Sequence, residues 1–407
     1  MNAPWLSVVG IGEDGLDGLG ATARTLIDTA EVLIGGERHL AMVSDHIAEK
    51  IAWPSPMKTL IEDIERFKPR RTCILASGDP TRYGVAVRLF RRLPVDEMTV
   101  VPAPSSITLA CAAMGWPQAE TRVVTLHGRP LDLLNLHLHP GARLIALSEN
   151  AETPAAVAGR LTELGFGDSQ MAVLERLGGP KQHQVNGIAR DWAHPAGDNL
   201  NIVAIACVAG PGAQVLSRVP GLPDDAYTHD GTMTKREVRA ATLAALAPPP
   251  GGTLWDIGAG SGSIAIEWIR AHDDNRAFAI EPLAERRALI ATNAARLGAP
   301  GIRIIDGRAP EAVRGLPTPD AIFIGGGLTT DGVVDTCWAA LAPGGRMVAN
   351  AVTLESERIL MDTANRLGGA LTRIQISRAE PIGGMHGWKP LMPVTQWIGE
   401  KSRGGDT

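Results

Sequence analysis

Short apolar runs alternate with segments of helical period along most of the chain. In the first half the runs fall at 6–9, 32–34, 73–76, 123–126, 144–147, 171–174 and 202–207. Runs of this length fit strands buried on both faces, and helices between them predict an α/β unit with a largely parallel sheet over about 5–208. Thr153 reads as an N-cap with Pro154 at the first helical position; the spacing Val157, Leu161, Leu164 then continues until Gly165 stops it. Residues 209–225 hold Pro211, Pro220 and Pro223 without a period and read as a connection. A second α/β pattern follows, with strands expected at 254–257, 277–280, 302–305, 321–324 and 346–349. The predicted organisation is therefore a domain at 1–210, a linker at 211–226 and a domain at 227–407, with no repeat between the halves.

A length of 407 residues agrees with two or three compact units. Hydrophobic content of 44% and charged content of 20% exclude a disordered chain, and 46 glycines with 29 prolines imply many tight turns. The net charge of −5 offers no general attraction to nucleic acid or to an anionic membrane. Cys73, Cys111, Cys207 and Cys337 are isolated in sequence and read as reduced core residues, with no zinc spacing. His137 and His139 lack a third ligand nearby, so no metal site is expected. No apolar run is long enough for a membrane span, and residues 1–10 lack a basic leader start, so a cytoplasmic location is expected.

The segment Trp255-Asp256-Ile257-Gly258-Ala259-Gly260-Ser261-Gly262-Ser263 follows an apolar strand and opens a helix. Glycines here allow close approach of a ligand to the backbone, and Glu281, at the end of the next strand, is placed to accept both hydroxyls of a ribose. A dinucleotide fingerprint requires glycine where Ser263 stands. The arrangement Asp-x-Gly-x-Gly-x-Gly instead resembles the first motif of class I S-adenosylmethionine-dependent methyltransferases. The resemblance assigns cofactor contacts to Asp256, Gly258, Ala259, Gly260, Ser261, Gly262 and Glu281; a nicotinamide dinucleotide stays open, because Glu281 suits either ribose. Upstream, Thr234 and Glu237 have the spacing of a capping box, and Lys235, Arg236 and Arg239 at the helix start offer cations to a carboxylated ligand. After the fourth strand stand Gly325, Gly326 and Gly327 where amino-group methylases carry Asn-Pro-Pro-Tyr, which points to a carbon or oxygen acceptor.

In the first half, Gly10-Ile11-Gly12-Glu13-Asp14-Gly15 mimics a dinucleotide loop, but the next residues cannot open a helix at once, and Glu13 and Asp14 would repel a pyrophosphate. Together with Ser77-Gly78-Asp79-Pro80, Pro102-Ala103-Pro104-Ser105-Ser106, Leu126-His127-Gly128-Arg129 and Leu174-Glu175-Arg176-Leu177-Gly178, it resembles the tetrapyrrole (precorrin) methylases. That family has two αβ subdomains and a second, unrelated way of binding S-adenosylmethionine. The resemblance implies largely backbone contacts to the cofactor at Gly10, Gly78, Asp79, Pro80, Ser105 and Ser106. The second half resembles the small class I methylases of cobalamin biosynthesis through Met233-Thr234-Lys235, the glycine loop, Gly307-Arg308-Ala309-Pro310-Glu311-Ala312 and Phe323-Ile324-Gly325-Gly326, which adds Thr234 and Ala309 to the cofactor contacts.

Both resemblances on one chain imply an α/β protein: a tetrapyrrole-methylase fold followed by a Rossmann-like class I methyltransferase fold, with one S-adenosylmethionine site in each domain. They imply methylation of carbons 5 and 15 of precorrin-6B, with loss of the ring C acetate carboxyl, giving precorrin-8. The expected partner is the tetrapyrrole, with no nucleic acid or membrane, in a homo-oligomer. Lys235 and Arg239 are the expected substrate-orienting residues. Competing readings are an RNA or protein methylase with an N-terminal specificity module, an NAD-dependent oxidoreductase, and a tetrapyrrole carrier.

Overall fold

The computed structural model describes residues 4–403. The chain divides into two compact units: one runs up to Arg129 and resumes over Leu138–Gln214, and the other comprises Pro130–His137 and the chain from Val215 on.

The first unit holds two five-stranded sheets. One contains β1 (Leu6–Ile11), β2 (Val32–Gly35), β3 (Glu49–Ala52), β4 (Thr72–Ser77) and β5 (Met98–Val101), in the order β3-β2-β4-β1-β5. Every pairing in it is parallel. The other contains β6 (Arg122–Thr125), β7 (Arg143–Leu147), β8 (Gln170–Glu175), β9 (His183–Ile188) and β10 (Asn201–Ala206), in the order β6-β7-β10-β8-β9. Here only β6 with β7 is parallel, so the expectation of a largely parallel sheet fails for this half. The reason lies in the connections: β8 turns directly into β9 as an antiparallel pair, and β10 then inserts between β7 and β8, antiparallel to both. The helix Thr153–Glu163 begins at its expected cap, one residue before the expected first helical position, with Glu152 as N-cap. The Thr153 hydroxyl accepts from the amides of Glu149 (3.1 Å) and Asn150 (3.2 Å), fastening the preceding turn rather than capping the helix.

The second unit is built on one seven-stranded sheet. Its strands are β11 (Thr253–Ile257), β12 (Arg276–Glu281), β13 (Arg303–Asp306), β14 (Ala321–Ile324), β15 (Arg346–Ala351), β16 (Ala370–Ile374) and β19 (Val394–Glu400); β17 (Ser377–Ile382) and β18 (Met385–Pro390) form a separate hairpin. The order is β13-β12-β11-β14-β15-β19-β16, parallel through β15 and antiparallel for β19 and β16. Alternation along each strand fills two cores. Leu254, Ala279, Phe323 and Val348 pack with Ile264, Trp268 and Ile290 on one face. Trp255, Ile257, Ile280, Ile322 and Met347 pack with Cys337, Leu360 and Trp397 on the other. Residues 215–226, which the sequence pattern places in the linker, belong to this unit: Leu222, Ala226 and Tyr227 are buried in its first core.

Strand order reverses between β11 and β14, because β12 lies on one side of β11 and β14 on the other. The crevice at the carboxyl ends of such a pair is where open α/β sheets bind ligands.

Candidate functional site

That crevice is a cavity of about 740 Å³ in the second unit, lined by Thr234, Lys235, Asp256, Gly258, Ala259, Gly260, Ser261, Glu281 and Ala309 among others. Nine of the expected site residues thus meet in one place. Gly262 stands behind the loop as the N-cap of helix Ser263–Ala271, where a side chain would press on Ile290.

The glycine loop is shaped by the two neighbouring strands. The amides of Gly258 and Ala259 both donate to the carbonyl of Ile280, at 3.0 and 3.1 Å. Gly258 has φ +70°, and a Cβ there would lie 2.6 Å from Gly326 Cα, so the crossing of the β11 and β14 loops admits no side chain. Glu281, 2% exposed, accepts from the Gly260 amide through Oε2 (2.9 Å) and from the Leu283 amide through Oε1 (3.0 Å). Two backbone donors fix the carboxylate in one orientation with lone pairs left for the cavity, the arrangement a ribose diol requires.

Asp256, 1% exposed, accepts from the Ala265 amide through Oδ2 (3.1 Å), while its Oδ1 is buried without a partner. Burial pushes its carboxyl up to about 7, against the Ala265 bond that lowers it and with the Glu281 charge that raises it further. The Ser261 hydroxyl is likewise buried and unpartnered. Orphaned polar atoms at a glycine loop fit a ligand bearing donors and acceptors of its own, as S-adenosylmethionine does.

The upstream segment corrects two expectations. The helix runs Arg236–Leu246 with Lys235 as its N-cap and no side-chain cap bond, so the Thr234–Glu237 box does not form; the Glu237 carboxylate instead pairs with Arg378 at 2.6 Å. Arg239 is fully buried and cannot orient a substrate. Its Nε donates to Glu267 (2.6 Å), Nη1 donates to the Thr234 carbonyl (2.7 Å) and reaches Asp224 (3.3 Å), Nη2 bonds the Leu222 carbonyl, and the guanidinium lies 4.8 Å from the Tyr227 ring centre. Arg239 therefore holds the segment that carries Thr234 and Lys235 against the cavity. Lys235 itself lines the cavity, whereas Arg236 donates to the Gly221 carbonyl at 3.0 Å.

Glu267 and Asn293 are absent from the sequence-derived set. Glu267 takes Arg239, the Tyr227 hydroxyl (2.9 Å) and the amides of Gly221 and Leu222 (2.6 and 3.1 Å). Asn293 brackets Thr228 with two bonds and donates to the Ser261 carbonyl at 3.0 Å, tying the upstream segment to the glycine loop. The available signal was their position: charged or amide side chains amid apolar neighbours on otherwise buried helix faces.

In the first unit, Gly10, Gly78 and Ser105 come together at the carboxyl ends of β1, β4 and β5. A Cβ on Gly10 would lie 1.9 Å from the Gly78 carbonyl oxygen, and one on Gly78 3.0 Å from Ser105 Cα. Asp79 Oδ1 accepts from the amide and hydroxyl of Thr81, and Ser105 caps the helix Ser106–Met114 by accepting from Thr108 N. With these side chains engaged locally, the backbone is what the loops offer a ligand; Pro80 also gives its carbonyl to Ala86, and Ser106 is exposed. Glu13 is neutralised by Arg38 and by Arg176, the latter at 3.0 Å, and the first α-helix begins only at Ala21.

A seven-stranded sheet in this order, a glycine loop after its first strand and a fixed carboxylate ending the second give the second unit the class I methyltransferase fold. The family model for Tetrapyrrole (Corrin/Porphyrin) Methylases matches residues 6–192, and that for the Precorrin methyltransferase domain matches residues 225–401. Over 396 residues the chain is 49% identical to precorrin-6Y C(5,15)-methyltransferase [decarboxylating] of a Sinorhizobium species, covering 97% of this chain and 96% of that one. It is also 30% identical over 173 residues to a cobalt-precorrin-7 C(5)-methyltransferase of Salmonella typhimurium, covering 42% of this chain and 85% of that one. With a probable cobalt-precorrin-6B C(15)-methyltransferase (decarboxylating) of Pyrobaculum aerophilum it shares 35% identity over 185 residues, 43% of this chain and 93% of that one. The chain belongs to the precorrin-6Y C(5,15)-methyltransferase (decarboxylating) family. It is a decarboxylating C-methyltransferase, and methyltransferases of this family use S-adenosylmethionine.

Proposed function

We propose that the chain methylates carbons 5 and 15 of precorrin-6B and removes the ring C acetate carboxyl, giving precorrin-8, with one S-adenosylmethionine site in each unit. The second unit acts at carbon 15 and in the decarboxylation, the first at carbon 5. Single-unit relatives named for each of these activities support the division. The observation that carries the reading is the cavity of the second unit, where Glu281 is fixed beside the glycine loop and Lys235 and apolar side chains share the lining.

When bound, S-adenosylmethionine supplies an activated methyl group, so the chain need not provide a strong base. Glu281 holds the ribose end, the Gly258–Gly326 crossing keeps the loop in place, and Lys235 orients a carboxylate of the acceptor. Alignment of this kind is worth about 7–11 kcal/mol in favourable cases. Methylation at carbon 15 leaves a conjugated cationic imine in the macrocycle; the electron pair of the breaking bond to the acetate carboxyl flows into it as carbon dioxide leaves.

Mass spectrometry of precorrin-6B incubated with the protein and methyl donor tests the proposal. Two added methyls and one lost carboxyl are expected; a product with one methyl, or with its carboxyl retained, would refute it.

A further inference from the structure

Glu281 ends β12 and Asn350 lies near the end of β15, three strand spacings away, or about 14 Å across the sheet. Both residues line the cavity, which therefore extends across these strand ends. The lining also includes Val238 from the helix that carries Thr242, Val352, Leu391 and Val394, with Lys235 among its cations.

The Asn350 amide is held in one orientation. The Thr242 hydroxyl donates its single proton to the Val238 carbonyl (2.8 Å) and so can only accept from the two amides beside it, Asn350 Nδ2 (3.0 Å) and Gln396 Nε2 (3.1 Å). Gln396 Nε2 also donates to Asn350 Oδ1 at 2.9 Å. Thr242 and Gln396 are buried, whereas Asn350 is only half-buried and reaches the cavity. Asn350 therefore has one N–H engaged behind it and a second N–H uncommitted. A fully connected polar chain behind one cavity-facing amide is a device for orienting that amide, since apolar side chains would fill the wall equally well.

We infer that Asn350 is a substrate-positioning residue whose free Nδ2–H donates to a carboxylate of the tetrapyrrole. This rests on the function proposed above and adds to it a second polar contact at the acceptor end. The Lys235 ammonium attracts the anionic rim from a distance; the amide, neutral and fixed, sets the angle at which the ring lies over the cofactor end.

The test compares full-length wild type with Asn350→Ala and Asn350→Asp. Steady-state assays at carbon 15 give KM and kcat for the tetrapyrrole, and calorimetry gives Kd for S-adenosylmethionine. Asn350→Ala should raise KM about tenfold and Asn350→Asp, which puts a like charge in place of the donor, by about a hundredfold or more. The cofactor Kd should stay within about twofold in both, which also certifies the fold of the site. An unchanged KM in Asn350→Ala overturns the inference, as does a matching loss of cofactor affinity, which would move the residue to the other end of the cavity. Wild type that binds the cofactor yet leaves the tetrapyrrole untouched would overturn the functional reading itself, and this inference with it.

Discussion

Asp256 keeps its proton to about pH 7 in the folded protein, against 3.8 for an ordinary aspartate. Below pH 3.8 folded and unfolded chains are both protonated at this group and it contributes its full stability. As pH rises toward 7 the unfolded chain has released the proton and the folded one has not, so stability falls by up to about 1.4 kcal/mol per pH unit. Asp256→Asn should remove this slope, seen as a smaller change in urea midpoint between pH 5 and 7.5 than wild type shows. Glu281→Gln keeps the shape of the side chain but loses one of its two backbone bonds, because the amide NH2 cannot accept from the Gly260 or Leu283 N–H; Kd for S-adenosylmethionine in the second unit should rise about tenfold or more by calorimetry. Arg239→Ala strands the Glu267 carboxylate in the core, and urea denaturation should show a loss of about 3–5 kcal/mol. The burial of Arg239 was legible, because it precedes Leu243 by four residues and Leu246 by seven and so shares their face. Its charge and its place at a helix start suggested solvent instead, and the partner that makes burial tolerable, Glu267, lies on another helix.

Among elements, those buried on both faces were readable from sequence, since β4 and β14 are built on unbroken apolar runs and β1 and β11 are mostly apolar, with Asp256 the one charged residue among them. The edges were not. β3 reads Glu-Lys-Ile-Ala, β9 reads His-Gln-Val-Asn-Gly-Ile, and β17 and β18 each contain a proline. An exposed strand shows no period because water accepts either kind of residue on both faces, and its pairing is decided by partners distant in sequence. The glycine loops were legible for the opposite reason: close backbone approach excludes every other residue. Gly258→Ala must place a methyl against Gly326 backbone at a positive φ, so the β11–β14 crossing should open and calorimetry should show cofactor binding lost from the second unit. Gly10→Ala should do the same to the junction of β1, β4 and β5, where the intruding methyl meets the Gly78 carbonyl.

For the whole chain, the proposed cofactor site in each of two unlike scaffolds predicts a calorimetric stoichiometry of two S-adenosylmethionine per polypeptide. Gly258→Ala should reduce it to one while leaving methylation at carbon 5 of a suitable substrate intact. A wild-type stoichiometry of one would contradict the proposal of a site in each unit. The halves are told apart by this experiment because each has its own cores, built on separate sheets.

Ile374 and Val394 face each other across the β16–β19 ladder, so the β17–β18 hairpin leaves and re-enters the sheet at a single point. Length at that point is nearly free of consequence for the sheet, and a short turn grafted between Ile374 and Val394 should yield a unit that still folds. Leu391 and Met392 would go with the excised piece, and both line the cavity. Trimming or extending this appendage beyond Arg378, whose pairs with Asp224 and Glu237 must be kept, is accordingly a route to changing the volume of the cavity while the β11 and β12 loops stay as they were.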